Sequence, residues 1–449
     1  MPNALLNLTE SLDRRILNDP ALGPDVFAEL RSSQRELGLL HDGRPTCPFL
    51  RPHILSRTQY AAIGAAAEII AGAFEKVVAR ALDDPELLSN LGLTAAEETM
   101  ARLDPGYSRL CVSSRLDTYL TDSGFQFLEY NAETPAGVAD QMQLEKVLYR
   151  LPHLQEFLNR REHFSPRPHE RLLDSLLDVY HEWGGPEDRP HIAIVDWEGV
   201  PTASEFGVLK EYFESAGYET RILDPHSLEY DGQRLRAGKF RIDIFYKRVI
   251  IHEFLERFDD SHPLCRAYRD GNVCMANSFR VKVAHKKAGF AILSNPSYED
   301  LFTATEVEMI RRHIPWTRIV RKGTTSFHDQ ERDLVEILRT ARERLVLKPN
   351  DDYGGQGIMI GWETGADEWE HAIERALAES YVVQERVAVK KVAIPMFTDR
   401  VQSQEMFVDF NPFLFQNRIE GALVRLSASS LCNITSGGGQ TALLVIEDP

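Results

Sequence analysis

Two short segments of this chain carry residue types suited to phosphate chemistry. KPNDDYGGQG, from Lys348 to Gly357, places a lysine at the end of an apolar run and follows it with Gly354, Gly355 and Gly357. Glycines let backbone N–H groups approach a phosphate chain with no Cβ in the way, and a lysine leaving a strand can offset phosphate charge. The spacing is not that of a P-loop, and the following IMIGW reads as a strand where a dinucleotide-binding loop would open a helix. Taken alone, the segment could equally be a glycine-rich hairpin with a chance Lys-Pro. The second segment, RLDTYLTDSGFQFLEYN, holds Arg115, Asp117, Glu129 and Asn131 at separations of two, twelve and two residues. Residues i and i+2 of a strand share a face, so both pairs can converge on one site across a hairpin. Such oxygen donors suit magnesium, which commonly binds through one or two carboxylates and a nucleotide's phosphates. The plainer alternative is a solvated cross-strand ion pair.

The elements that must position these segments follow from periodicity. Up to about Asp104 the pattern is helical, with Tyr60 to Leu82 and Pro85 to Leu103 interrupted upstream by the Pro-containing stretch Arg44 to Pro52. Tyr107 to Asn131 then reads as a hairpin around Thr121-Asp122-Ser123-Gly124, with FQFLEYN alternating as a strand should. Helices are expected around Val147 to Leu158 and Leu172 to Trp183. A βαβ unit follows: HIAIVDW as a strand, Phe206 to Ala216 as a helix with Phe206, Leu209, Phe213 and Ala216 on one face, and Tyr218 to Leu223 as the next strand. FRIDIFYKRVI supplies another strand, and VCMANSFRVKVAHKKAGFAIL passes from a strand into a helix. LVLKP and YVVQERV read as strands, Glu368 to Leu377 as a helix, and Met406 to Ile446 as mostly antiparallel strand.

The bulk properties narrow the class of function. A 449-residue chain that is 43% hydrophobic and 27% charged can bury a substantial core. Its 51 basic and 68 acidic residues give a net charge of −17, which opposes nonspecific binding to nucleic acid or anionic lipid and favours small-molecule chemistry. Cys47, Cys111, Cys265, Cys274 and Cys432 are dispersed and form no CxxC pair, so neither a disulfide framework nor a zinc site is indicated. The N-terminus lacks an export pattern, and the apolar stretch Ala61 to Phe74 is interrupted by Glu68 and too short to span a bilayer. A cytoplasmic location without membrane or nucleic-acid partners is expected.

Together the two motifs resemble the circularly permuted ATP-grasp group, that of the glutathionylspermidine and trypanothione synthetases. In the usual ATP-grasp order the lysine and glycine loop come first and the metal-binding carboxylate and asparagine near the end. Here that order is reversed. The resemblance runs from Arg115 to the C-terminus, and the first hundred or so residues take no part in it. It implies an α/β (α+β) fold, in which the helical pattern of 1–105 forms an N-terminal layer and a permuted ATP-grasp segment with the metal-binding hairpin spans 106–185. A βαβ pre-ATP-grasp unit on the substrate side would occupy 186–275, and nucleotide-binding subdomains 276–449.

The resemblance also implies roles. Asp117, Glu129 and Asn131 would bind Mg2+, with Arg115 and Arg425, in GALVRLSASS, facing the transferred phosphoryl group. Lys348 and Lys287 would hold the polyphosphate of ATP, with the adjacent Lys286 as a rival. Gln384, Glu385 and Val387 would lie in the hinge that meets adenine. Arg425 could instead be an ordinary exposed strand arginine. The nearby NITSGGGQT, with Asn433, Ser436 and Gly437 to Gly439, could be an anion-binding turn or merely a β-turn.

The activity so implied is an ATP-dependent carboxylate-amine ligase that passes through an acyl phosphate and releases ADP and phosphate. The alternatives are an ATP-grasp phosphotransferase and a noncatalytic nucleotide-binding protein. The substrates would be a small carboxylate and an amine, with the oligomeric state left open. The loop WEGVPTASEF lacks the adjacent glutamate pair found near the polyamine site of glutathionylspermidine synthetase. Thr134 replaces one of two serines used there for glutathione, and Ala136 stands at the other. The ATP chemistry therefore carries over better than substrate identity.

Overall fold

The side chains on the covered face of the acidic hairpin decide where it sits. Strands Ser113–Thr121 and Gly124–Asn131 pair antiparallel, with Leu116 opposite Tyr130 and Thr118 opposite Phe127, and all four are buried. The register shifts between Asp117 and Thr118, leaving Leu128 as an extra residue on the second strand. FQFLEYN is therefore not the plainly alternating strand expected from its pattern. Without the bulge, Phe127 and Tyr130 would fall on opposite faces, because a one-residue slip turns every side chain over.

Tyr130 packs against Phe74 with ring centroids 4.7 Å apart. Phe74 belongs to the 27-residue helix Arg57–Asp83, which starts at a capping box formed by Ser56 and Gln59 and buries an alanine-rich stripe. The same ring meets Phe290, 5.1 Å away, on the helix Ala288–Leu293. Gly289 permits that approach, since a Cβ there would lie 2.5 Å from the Phe74 ring. One aromatic side chain thus seats both the hairpin and the helix that begins beside Lys287, and truncating it to alanine would cost about 3–5 kcal/mol.

The structure, a computed structural model, describes residues 2–41, 43–122, 124–352, 355–429 and 438–448. The hairpin forms one edge of a six-stranded antiparallel sheet completed by Val401–Phe415, Arg418–Ser427, Gly439–Thr441 and Lys391–Phe397. A four-stranded antiparallel sheet runs in the order Thr317–Ile319, Tyr381–Glu385, Leu345–Pro349, Met359–Ile360. Helix Ala366–Ala378 covers this sheet through Trp369, Ala372, Ile373 and Ala376. A parallel sheet follows the order Cys274–Ala276, Ile244–Lys247, Ile192–Val195, Thr220–Leu223. It includes the expected βαβ unit, whose helix, Ala203–Ser215, buries Phe206, Leu209 and Phe213.

A further strand expectation needs correction. FRIDIFYKRVI is divided between Phe240–Arg241 and Ile244–Lys247, which join different sheets. The break lies at Asp243, whose carboxylate accepts from the His191 N–H at 2.9 Å and from the Arg241 guanidinium. At the C-terminus, Leu443–Ile446 pairs parallel with His53–Ser56, while His163–Phe164 pairs antiparallel on its other side. The first strand of the chain to enter a core sheet therefore completes itself with the last.

Among the described residues no helix is long and apolar enough to cross a membrane. Cys47, Cys111, Cys265 and Cys274 are buried and unpaired, and Cys432 lies outside the described residues.

Candidate active site

The hairpin and the lysine strand face each other across a cleft of about 200 Å3. Arg115, Asp117, Glu129 and Asn131 line one wall, and Lys348, Gly355, Gln384, Glu385 and Val387 line the other. Arg425 and Asp409 also line the cleft, while Val346, Ile358, Ile360 and Val389 make part of it apolar. The cleft therefore has a charged half and an apolar half.

In the charged half, cross-strand register does the positioning. Arg115 lies opposite Asn131 and Asp117 opposite Glu129. Arg115 Nε donates to Asp117 Oδ1 at 3.0 Å, and Asn131 Nδ2 donates to the same oxygen at 2.8 Å. Arg425 Nη2 takes Asp117 Oδ2 at 2.7 Å, and its Nε donates to Asp409 Oδ2 at 2.6 Å. Two flanking guanidiniums outweigh the burial that would otherwise raise Asp117, so its carboxyl sits below the ordinary range. Burial pushes Asp409 up to about 6, with Arg425 opposing and Asp117 reinforcing the shift.

Lys287 Nζ pairs with Glu129 Oε1 at 3.0 Å and donates to the Asp352 carbonyl at 2.6 Å. That lysine holds Glu129 below its usual value although burial acts the other way. Lys286 turns away from the cleft to Glu97 and Asp351. Lys348 Nζ donates to Gln384 Oε1 at 2.7 Å and to the Leu128 carbonyl at 3.3 Å. Its second partner exists because the bulge at Leu128 turns that carbonyl toward the lysine. Burial pushes the Lys348 ammonium down to about 8 against the pull of Glu129.

The glycine loop leaves Lys348 with Gly355 at φ +80° and Gly357 at φ +66°. Both angles suit glycine, and a Cβ on Gly357 would also meet Pro349 Cγ at 2.7 Å. Gly354, Ser123, Asn433, Ser436 and Gly437 lie outside the described residues. Gly438 precedes the short strand Gly439–Thr441, whose Gly439 pairs with Leu426. Arg425 is only 17% exposed along its side chain and is engaged by two carboxylates, unlike an ordinary exposed strand arginine.

Among the cleft residues that sequence reasoning missed are Asp409, Trp362 and Arg386. Asp409 sits in the largely buried strand Val401–Phe415, directly opposite Arg425 in register. An acid within VDFNPF was the available signal. Trp362 and Arg386 also line the cleft, with the guanidinium 4.1 Å from the indole centroid. No motif marked either one.

The donor set fits a hard cation. Asp117 and Glu129 offer carboxylate oxygens and Asn131 an amide oxygen, the ligand type magnesium prefers. Among the described residues no group of three or more His, Cys, Asp or Glu side chains is arranged to hold a metal. A cation here would thus need Asn131 and oxygens brought by a ligand, and Asp117 and Glu129 would have to exchange some of their present partners.

No family model and no curated protein matches the chain. A glutathione synthetase-like effector from Globodera pallida, solved in its apo form, matches over 96% of this chain and 98% of its own length at 12% identity and a TM-score of 0.62. A proposed gamma-glutamylcysteine synthetase from Methylobacillus flagellatus KT is similar over 85% of both chains at 10% identity, with a TM-score of 0.41, too weak a likeness to bear on the fold. At 12% identity the first match speaks to architecture alone. The chain is a mixed α/β protein that shares the overall fold of a glutathione synthetase-like protein.

Proposed function

We propose that this protein is a circularly permuted ATP-grasp carboxylate-amine ligase, which uses ATP and magnesium to join a carboxylate to an amine through an acyl phosphate. The observation that carries this is the meeting, in one cleft, of the Arg115–Asn131 hairpin with Lys348 and Arg425, beside an apolar recess and with Lys287 paired to Glu129 of the hairpin. The permuted order agrees with the chain, in which the hairpin precedes the glycine loop. Fold likeness to a glutathione synthetase-like protein supports the same class of chemistry.

The roles follow from charge. The apolar recess takes the base, and Trp362 with Arg386 flanks it. The N–H groups of Glu385 and Arg386 already donate to the Trp316 and Arg344 carbonyls, which leaves Val387 to offer its backbone to adenine. Lys287 and Lys348 release Glu129 and Gln384 to meet the polyphosphate. Asp117, Glu129 and the Asn131 amide oxygen would hold magnesium, whose contribution is to neutralise phosphate charge.

A carboxylate oxygen of the acid bonds to the γ-phosphorus as the bond to the bridging β–γ oxygen breaks, and ADP leaves with the electron pair. Arg115 and Arg425 stabilise charge on the transferring group and on the acyl phosphate. The amine lone pair then bonds the acyl carbon, the acyl C–O bond breaks with phosphate leaving, and the surplus amine proton passes to water. No covalent enzyme nucleophile is required.

The test is to incubate the purified protein with ATP, magnesium and panels of acids and amines. ADP and phosphate should appear with the correct pair, and hydroxylamine should trap the acyl phosphate as a hydroxamate when the acid is present without its amine. Glutathione and spermidine should be poor substrates, because the glutamate pair and one of the two serines are absent. AMP and pyrophosphate as main products would defeat the acyl-phosphate route. A stable phosphoester would make the protein a phosphotransferase, and nucleotide binding without turnover by any pair would leave it a binding protein.

A further inference from the structure

A second charged cluster lies behind the glycine loop. Lys282, fully buried, pairs with Asp351 Oδ1 at 2.7 Å, Glu133 Oε1 at 3.1 Å and Glu97 Oε1 at 3.6 Å. Lys286, 3% exposed, joins Asp351 Oδ2 at 2.6 Å to Glu97 Oε2 at 2.9 Å. Lys247, also fully buried, lies alongside and donates to the Glu133 and Val249 carbonyls, each at 3.3 Å. Groups this deep are stable only while each keeps its partners.

The members come from distant parts of the chain. Asp351 opens the loop that carries Gly355 and Gly357. Glu97 lies on the helix Ala95–Ala101 of the N-terminal segment, oriented by a capping box with Thr94. The same segment reaches the loop once more, where Asn350 Nδ2 donates to the Leu91 carbonyl at 2.8 Å. Asn350 is held from its other side by the Lys287 and Ala288 N–H groups. Glycines give a loop no side chains of their own by which to be anchored, so its geometry has to be imposed by the residues that lead into it.

We infer that Glu97 is a positioning residue of the phosphate-binding loop: through Lys282 and Lys286 it fixes Asp351, and with it the loop's approach to the polyphosphate. This rests on the proposed ATP site, and it makes the N-terminal segment a working part of that site. A loop without this anchor would have to be ordered by the nucleotide, at the expense of affinity.

The test compares Mg·ATP with adenosine on the full-length protein, by calorimetry, together with amide hydrogen exchange at residues 350–352 and 355–357. Glu97→Gln should weaken Mg·ATP binding by about tenfold, leave adenosine binding unchanged and speed exchange in the nucleotide-free loop. Glu97→Asp keeps the charge at shorter reach and should lose less, which carries the test if the glutamine variant does not fold. Lys286→Met should add little to the effect of Glu97→Gln, since both act along one path. Equal losses for ATP and adenosine would reduce the cluster to general stabilisation, and an unchanged affinity ratio with unchanged exchange would overturn the inference while leaving the ATP site standing. Failure of the unaltered protein to bind either nucleotide would remove the site itself and the inference with it.

Discussion

The two ionic clusters use the same residue types to different ends. Around Asp117 and Glu129 the carboxylates and cations line a cleft, and a ligand can replace one partner with another. Around Lys282 most of the groups are sealed, with Glu97 and Glu133 each 1% exposed and only the Asp351 side chain, at 19%, reaching the surface. In the first, exchange of partners is what the proposed chemistry requires. In the second, the absence of exchange is the use, because a buried ion pair that loses one member leaves the other uncompensated. The Lys287 and Lys286 pair divides between them: neighbours in sequence, one serves the cleft and the other the sealed cluster.

Breaking the sealed cluster should give the largest effect on stability. Lys282→Met leaves Glu133 without its ion-pair partner and takes one of two lysines from Glu97 and Asp351, which keep Lys286, and denaturant unfolding should show a loss of about 3–5 kcal/mol. A loss below about 1 kcal/mol, the value of an exposed pair, would mean that the cluster is not sealed.

Arg425→Ala probes the cleft in the opposite way. Turnover should fall by about 10²–10³-fold with little change in ATP affinity, because the arginine's charge counts where negative charge develops. A rise in KM with unchanged kcat would make Arg425 a ground-state binding group instead.

Glu129→Gln should keep the fold and lose the ligand response. Saturation at a hundredfold excess over Kd stabilises a protein by about 2.7 kcal/mol, and thermal shift should show most of that magnesium-dependent gain abolished. Lys348→Ala should behave likewise. If both variants kept the full gain, the assignment of the two walls would be wrong.

The pH response sharpens the contrast further. Lys348 is lowered from 10.5 to about 8 in the folded protein, so between those values the unfolded chain binds more protons and stability contributed by this site rises with pH. Mg·ATP affinity should move the other way, falling as the ammonium is lost above about 8. Lys348→Met should flatten the stability trend, which pH-dependent melting will check.

The smallest effect belongs to the apolar half. Trp362→Ala removes the ring under Arg386, a contact worth about 1 kcal/mol, and should weaken nucleotide binding by about fivefold.

Much of the cleft was legible beforehand because strand parity is local. Residues two apart share a face, so Arg115 stood with Asp117 and Glu129 with Asn131, but it took the bulge at Leu128 to put both pairs on one face of the hairpin. The glycines announced themselves similarly, since Gly355 and Gly357 adopt backbone angles that other residues resist. The helix around Phe206 showed in the spacing of its apolar residues.

What the amino-acid sequence determined by itself was therefore local: which residues share a strand face, which positions admit a left-handed backbone, and where helices bury a stripe. Only the tertiary structure decided which of two adjacent lysines meets Glu129, that Asp409 stands beside Arg425, that Leu128 bulges toward Lys348, and that Glu97 reaches Asp351. Each of these is a contact between distant parts of the chain. Such contacts depend on how whole elements pack, as when Phe74 seats Tyr130 and Phe290 together, and a spacing rule within one segment carries no information about the segment it will meet.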